Sequence, residues 1–164
     1  MKTHLFGPHV VRESEVFYHS KLCIGLVNLK PIALRARGTP TGRAKILRSD
    51  ERRVTGLALN ARTGSQVCDL MLSTQKIGRV IEREYNGSSL TIAIQVRHTH
   101  VHVIPRRFGD WANNDDIYKE LDQVKEASTL HDVDNEGRKP RSLEEMKEEA
   151  DRLRVFFEHV YPDE

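Results

Sequence analysis

The sequence predicts a single domain of the α+β class over residues 1–164, in which short strands are combined with helices. Strands are indicated by apolar or alternating runs near the N-terminus and before Pro105. Helices are indicated by an apolar stripe at three- and four-residue spacing after Val67 and by a capped segment near the C-terminus. A chain of 164 residues and 18.8 kDa has the usual length of one domain.

Two strands are predicted in the N-terminal part. Residues 15–19 are short and aromatic, and residues 22–27 are almost entirely apolar, as in a buried strand. Pro31 is expected to end regular pairing, because proline has no N–H to donate. Residues 32–66 show no sustained pattern apart from weak helical character over residues 46–58. Read as a loop, these 35 residues would be longer than the structureless loops that compact domains usually contain. We therefore expect this anomalous segment to leave the core partly disrupted.

The anomalous segment also concentrates the basic charge. It holds eight basic and two acidic side chains, a local charge of +6, so that the rest of the chain carries −4 and the whole +2. Such a segment can contact nucleic-acid phosphates. It contains no aromatic residue on which bases could stack, and we therefore expect no nucleic-acid partner.

A helix is predicted from residue 67 onward, and Asn86-Gly87 marks its end because both residues tolerate the left-handed conformation. Two strands follow at residues 89–94 and 97–104, the second ending at Pro105.

The C-terminal third is more polar. A short helix is expected over residues 116–121, and the charge-rich residues 124–140 predict a mobile loop. The last helix begins with a capping box, in which Glu145 follows Ser142 by three residues.

Composition also bears on location. No run approaches the ~18 apolar residues of a membrane helix, and the N-terminus lacks the apolar run of a secretory signal. Two cysteines are too few for a disulfide framework and favour a reducing compartment. We expect a cytoplasmic protein, with the nucleus as a second location and no membrane partner.

Three histidines occupy alternate positions along the strand predicted over residues 97–104. Because successive side chains of a strand point to opposite faces, His98, His100 and His102 share one face, and Val101 and Val103 lie on the other. The valines suit a core. Three imidazoles need an explanation, because clustered histidines repel one another once they are protonated.

Three interpretations are open for the histidine face. It can be an exposed face that carries histidines by chance. It can be a metal site, because alternate strand positions lie roughly 6–7 Å apart, although no cysteine or acidic residue nearby completes a ligand set. It can also hold a nucleophilic histidine, flanked by two that bind a phosphate substrate.

The segment His98-Thr99-His100-Val101-His102-Val103 fits the pattern His-x-His-x-His-x and resembles the signature of the histidine-triad superfamily. Its flanks are similar to the fragile-histidine-triad branch, as is the capped helix that begins at Arg141-Ser142. The resemblance covers residues 5–31 and 67–160. The matching flanks are Leu26-Val27-Asn28-Leu29-Lys30-Pro31 and residues 89–95, 104–110 and 114–118.

This resemblance implies a dinucleoside polyphosphate hydrolase, typically acting on diadenosine triphosphate to give AMP and ADP. His100 would attack the α-phosphorus and form a nucleotidyl-histidine, which water then hydrolyses. His98 would hold the triad by hydrogen bonding, and His102 would contact the phosphates and help the leaving group. Further substrate contacts would come from Asn28 at the ribose, Gln95 before the active-site loop, and His9 near the nucleotide. Taken without the family, Asn28 and Gln95 are equally typical of strand-end caps, and His9 of a surface histidine.

The resemblance also implies an antiparallel sheet with two helices and a homodimer. The covalent step needs no cofactor, no protein-bound metal is expected, and a divalent cation such as Mg²⁺ or Mn²⁺ is expected to accompany the substrate. A second possible function is a noncatalytic module of the same family that binds adenine nucleotides or signals through them.

The chain departs from this family in the active-site loop. Family members follow the glutamine with Asp-Gly-Pro-x-Ala-Gly-Gln-Thr, whereas Gln95 here runs through Val96-Arg97 directly into His98. The missing loop normally supplies hydrogen-bond donors to the phosphates. Losing one preorganised donor costs about two to three orders of magnitude in rate, so we expect impaired turnover.

A second departure follows Pro31, where the family has a strand Pro-Gly-His-Val-Leu-Val and this chain has Ile32-Ala33-Leu34-Arg35-Ala36-Arg37-Gly38-Thr39. Codons that permit Arg-Ala-Arg-Gly-Thr can encode Gly-His-Val-Val-Leu when they are read one base later. We therefore hypothesise that residues 32–66 are an out-of-frame translation of the family sequence and not a genuine insert.

Overall fold

A computed structural model of the chain describes residues 3–6, 9–29, 44–48, 62–94, 100–118 and 140–157. Its strands and helices, in chain order, are β1 Thr3–Phe6, β2 His9–Arg12, β3 Val16–His19, β4 Cys23–Val27, β5 Ala44–Arg48, α1 Gly64–Glu84, β6 Ser89–Ile94, β7 His100–Arg106 and α2 Leu143–Arg154. A single 3₁₀ turn, Glu13–Glu15, separates β2 from β3.

Among the described residues, the sheet that carries His100 and His102 has five antiparallel strands in the order β3-β4-β5-β7-β6. The strands β1 and β2 form a separate antiparallel hairpin. Since α1 and α2 pack on an antiparallel sheet, the α+β class predicted from the sequence is confirmed. Within the described ranges, none of the helices combines the length and the apolar character that crossing a bilayer requires.

Helix α1 begins earlier than its apolar stripe suggests. Thr63 is the N-cap, and its side chain accepts a hydrogen bond from the N–H of Gln66 while the Gln66 side chain accepts one from the N–H of Thr63. The end of the helix is as predicted, because Asn86 adopts a positive φ of 49°.

Strand β5 corrects the reading of residues 32–66. The weak helical character assigned to residues 46–58 is wrong at residues 46–48, because Ala44–Arg48 pairs with β4 on one edge and with β7 on the other. The sheet is thus continuous across this segment. Pairing on both edges outweighs a weak local helical preference. Residues 32–43 and 49–61 lie outside the described residues, as do residues 124–139 of the predicted mobile loop.

Strand β7 also runs further than predicted, since it passes through Pro105 and ends at Arg106. Within the described part of the sheet Pro105 pairs only with Leu90 of β6. Of the predicted short helix over residues 116–121, residues 116–118 are described and are helical.

The core lies between the sheet and the two helices. Helix α1 covers the valine face of β7, and α2 packs on β3 and β4. Val101 and Val103 are completely buried there, as the alternation of the histidine strand predicts. The buried helix residues in this core are Leu70, Ile77, Ile81, Met146, Ala150 and Leu153.

Candidate active site

Two of the three predicted histidines lie side by side on β7. His100 and His102 are buried, with relative exposures of 2% and 4%. Their Nε2 atoms are 2.8 Å apart, and the rings meet edge to face with centroids separated by 4.5 Å. Positions two apart on a strand share a face, which is why the sequence places both imidazoles together.

The contact between these rings restricts their protonation. A hydrogen bond between two imidazole nitrogens needs one N–H donor and one nitrogen with a bare lone pair, so at least one ring is neutral. The pair therefore combines a potential nucleophile with a potential proton donor at hydrogen-bond distance. Which ring donates depends on the tautomer.

Cross-strand pairing shows which residues of the neighbouring strands lie beside His102. His102 pairs with Lys45 of β5 on one side and with Ala93 of β6 on the other, and Lys45 pairs in turn with Leu26 of β4. Leu26 and His102 thus lie two strands apart, roughly 10 Å at the usual spacing. Asn28 follows Leu26 by two residues, at the end of β4.

Asn28 is buried and its backbone is held by the start of α2. Its carbonyl oxygen accepts hydrogen bonds from Arg141 Nε at 3.1 Å and Nη2 at 2.5 Å. The backbone N–H of Arg141 donates to the carbonyl of Leu29 at 2.9 Å. Arg141 also forms an ion pair with Glu149, one turn further along α2 than the capping box. The end of β4 is therefore fixed by the helix that follows it by more than a hundred residues.

The other predicted site residues are placed in part or not at all. His9 is the first residue of β2 and pairs with Phe6 across the hairpin. Gln95 and His98 lie outside the described residues. The structure brings together His100 and His102. The roles of these two residues, like those of His9, Asn28, Gln95 and His98, stay predictions.

Sequence reasoning did not identify the ion pair that holds the chain after β7. Arg106 and Asp110 are both buried, and the guanidinium donates to the carboxylate through Nε at 2.7 Å and Nη2 at 3.0 Å. Arg106 also donates to Thr91 Oγ1 at 3.1 Å and to Asn114 Oδ1 at 2.9 Å. Arg107 N–H donates to Asp110 at 3.1 Å. This network joins β6, β7 and the following loop. An arginine and an aspartate four residues apart were its only signal in the sequence.

The network shifts the ionisation of both partners. The hydrogen bonds that Arg106 donates to Asp110 raise the pKa of Arg106 above its ordinary value, against the opposing effect of burial. Burial alone would raise the pKa of Asp110, but the hydrogen bonds from Arg106 and Arg107 outweigh it, and the pKa of this carboxyl lies below its ordinary value. Arg106 therefore stays protonated, and its positive charge is balanced by the carboxylate of Asp110.

The chain is similar over most of its length to known hydrolases. It is 36% identical over 166 residues to a bis(5'-adenosyl)-triphosphatase of Dictyostelium discoideum, covering 96% of this chain and 95% of the relative. It is 37% identical over 165 residues to the bifunctional bis(5'-adenosyl)-triphosphatase/adenylylsulfatase FHIT of Arabidopsis thaliana, covering 95% and 85%. The asymmetrical bis(5'-nucleosyl)-tetraphosphatase of Schizosaccharomyces pombe is 34% identical over 173 residues, covering 88% and 89%. No family model matches the chain.

Solved structures share the fold. The Caenorhabditis elegans NitFhit protein superposes with a TM-score of 0.64 at 21% identity, over 94% of this chain and 30% of that one. The Plasmodium falciparum diadenosine triphosphate hydrolase, in complex with Cyclomarin A, gives 0.63 at 21% identity, over 95% and 84%. At such identities the likeness concerns the fold alone, and it confirms the expected arrangement of strands and helices.

Proposed function

Because the chain belongs to the fragile-histidine-triad branch of the histidine-triad superfamily, we propose that it hydrolyses dinucleoside polyphosphates. The observation that carries this proposal is the buried contact between His100 and His102. The relatives named above are hydrolases of diadenosine triphosphate or dinucleoside tetraphosphate, and diadenosine triphosphate is the substrate that we propose here.

In the proposed reaction His100 is the nucleophile. When its Nε2 is the bare nitrogen, the lone pair that now accepts a hydrogen bond from His102 attacks the α-phosphorus. The new N–P bond replaces the bond from the α-phosphorus to the bridging oxygen. His102, protonated at both ring nitrogens, gives its Nε2 proton to the departing ADP and is left neutral. Water then attacks the α-phosphorus and gives a proton to the neutral His102, and the N–P bond breaks. This releases AMP and restores both histidines.

The remaining substrate contacts are proposed for residues on other parts of the fold. Asn28 is buried at the end of β4, and hydrogen bonds from the Arg141 guanidinium hold its backbone carbonyl. We propose that its side chain contacts the ribose. His9 would reach the nucleotide from the hairpin, and His98 and Gln95 would complete the triad and the phosphate site. A divalent cation, Mg²⁺ or Mn²⁺, would enter with the substrate.

The expected turnover is slow. Only residues 95–99 connect the end of β6 to His100, and they contain none of the Gly-rich family loop. Water and the remaining histidines must then stabilise the phosphates, so we expect a rate about two to three orders of magnitude below that of an intact relative. A noncatalytic nucleotide-binding module is the alternative that this shortening favours.

Two finer properties belong to the same proposal. We propose a homodimer, supported by the exposed Ile92 and Ile94 on β6, an edge strand of the sheet. We also propose a cytoplasmic location, with the nucleus as a second one, supported by the two-cysteine composition.

The test is to measure binding and hydrolysis on one preparation of the full chain. Diadenosine triphosphate should be converted to AMP and ADP in equal amounts, and the His100→Ala variant should bind the substrate but form no products. Binding without products in both proteins would establish the noncatalytic module instead. Equal turnover in both proteins would refute the role of His100, and near-normal turnover would refute the impairment. The addition of a chelator tests whether a divalent cation accompanies the substrate.

A further inference from the structure

A second group of histidines lies away from β7, where the N-terminal hairpin meets the sheet. His4 on β1 donates a hydrogen bond from Nε2–H to Glu13 Oε2 at 2.9 Å, and His19 at the end of β3 donates one from Nε2–H to Glu13 Oε1 at 2.9 Å. The two rings are tilted, with centroids 5.9 Å apart. One ligand atom from each of the three side chains can be chosen so that all lie within 4.8 Å of one another.

We propose that His4, Glu13 and His19 form a binding site for a divalent transition-metal ion, with Zn²⁺ as the best fit. Two imidazoles and one carboxylate are a donor set that Zn²⁺ accepts, with three protein ligands and water in the fourth position. Imidazole nitrogen also suits Cu²⁺ and Ni²⁺, whereas Mg²⁺ and Ca²⁺ prefer oxygen ligands.

The distances suit such an ion after a small adjustment. Metal–ligand bonds near 2.0–2.1 Å in a tetrahedron place neighbouring ligand atoms about 3.4 Å apart. The two histidine–carboxylate contacts need to open by about half an ångström from their hydrogen-bonded lengths. The ligand atoms that lie furthest apart, up to 4.8 Å, need to approach by about 1.4 Å. Rotation of the exposed side chains of Glu13 and His19 supplies this movement, because their relative exposures are 40% and 43%.

The elements that carry the ligands are already organised. The backbone of His4 pairs with Val11 in the hairpin, Glu13 opens the 3₁₀ turn, and β3 ends at His19. The side chain of His4 is nine-tenths buried, with an exposure of 9%. An ion at this point would cross-link β1, the turn and β3. It would thereby fasten to the main sheet the hairpin whose second strand begins with His9.

This site shares no residue with the proposed substrate site, so zinc binding can be tested separately from hydrolysis. The experiment is a calorimetric titration of the full chain with ZnCl₂, after dialysis against a chelator and then against chelator-free buffer. The histidines of β7 can also take up Zn²⁺, so the measured quantity is the difference in zinc stoichiometry between the parent chain and each variant.

We expect Glu13→Gln and His19→Asn each to lose one zinc per chain, or to bind it about 100-fold more weakly, since groups that merely orient a ligand already contribute 10–100-fold. Glu84→Gln, the same chemical change at the end of α1, should retain the parent stoichiometry. Zinc should also raise the melting temperature of the parent and of Glu84→Gln more than that of the two variants.

His4→Asn tests the third proposed ligand. Because it replaces a buried side chain and can destabilise the fold, its zinc binding is interpreted only together with that of the exposed variant His19→Asn. In ¹H–¹⁵N spectra of the parent, the ring nitrogens of His4 and His19 should shift together on zinc addition. Equal zinc uptake by parent and variants, or no uptake by the parent, would show a purely hydrogen-bonded cluster and overturn the proposal.

Discussion

At the scale of single residues, buried polar groups carry most of the proposed chemistry. Strict alternation along β7 predicted that His100 and His102 share a face, because strand geometry follows directly from the sequence. The network of Arg106 and Asp110 was not predictable in the same way. Its members come from two strands and a loop, and only the fold shows that both are buried and paired.

Asp110→Asn should destabilise the protein by about 3–5 kcal/mol near pH 7, since it leaves the buried Arg106 without its counter-charge. The folded-state pKa of Asp110 is lowered, so its stabilising contribution is present above the unfolded value near 3.9 and is lost as the pH falls through the folded value. The difference in unfolding free energy between parent and variant should therefore shrink below about pH 4.

Urea denaturation at several pH values measures this difference. Asp115→Asn, the same change at an exposed position of the same loop, serves as the control and should leave the stability within about 0.5 kcal/mol. A difference between parent and Asp110→Asn that stays constant from pH 7 into the acid range would contradict the assigned pKa direction.

At the scale of elements, periodicity was a good guide where an element buries one face against the core. The stripe of α1 and the capping box of α2 are present as predicted. Strand β5 was missed because its five residues carry no clear alternation and are specified by the strands on both sides. The ends of helices and strands were less predictable. Helix α1, for example, was predicted from residue 67 but begins at Gly64, after the capping box of Thr63.

Close packing of α1 on β4 gives a test at this scale. A Cβ added at Gly25 would lie 2.8 Å from Ile77 Cδ1 and 3.0 Å from Tyr18 Cβ, which is tighter than van der Waals contact. Gly25→Ala should therefore lower the unfolding free energy by about 1–3 kcal/mol, as overpacked cores do. Thermal or urea unfolding of the parent chain and of Gly25→Ala measures this difference in unfolding free energy.

Gly64→Ala is the matched control, because nothing lies within 4 Å of a Cβ built at that position. Alanine in the first turn of a helix should leave stability unchanged or raise it slightly. The packing of α1 on β4 would be wrong as described if Gly25→Ala were as stable as Gly64→Ala.

At the scale of the whole molecule, the chain combines the fold of the histidine-triad superfamily with the basic segment of residues 32–66. The relatives align with nearly the whole chain, and β5 supplies the central strand from within residues 32–66. The out-of-frame hypothesis stays a prediction, and the coding transcript across residues 31–67 and 95–98 decides it. If no frame of that transcript encodes Gly-His-Val after Pro31, the hypothesis is wrong.

The proposed homodimer is tested by replacing the exposed apolar residues of β6. Ile92→Lys with Ile94→Lys should place charges on an edge strand and convert a dimer into a monomer, because buried unpaired charges oppose association. Light scattering coupled to gel filtration measures the molecular mass. Lysine at Val10, which is exposed on the hairpin, should leave the mass unchanged. A parent chain that is monomeric at all concentrations would contradict the dimer.

We propose that His100 becomes covalently bound to a nucleotide during turnover. The most direct test is rapid quenching of the full chain with diadenosine triphosphate, followed by peptide mass spectrometry under conditions that preserve N–P bonds. An adenylyl group should appear on the peptide that contains His100, and no such group should appear in His100→Ala. Hydrolysis by the parent without this adduct, at a rate that His100→Ala retains, would exclude His100 as the nucleophile.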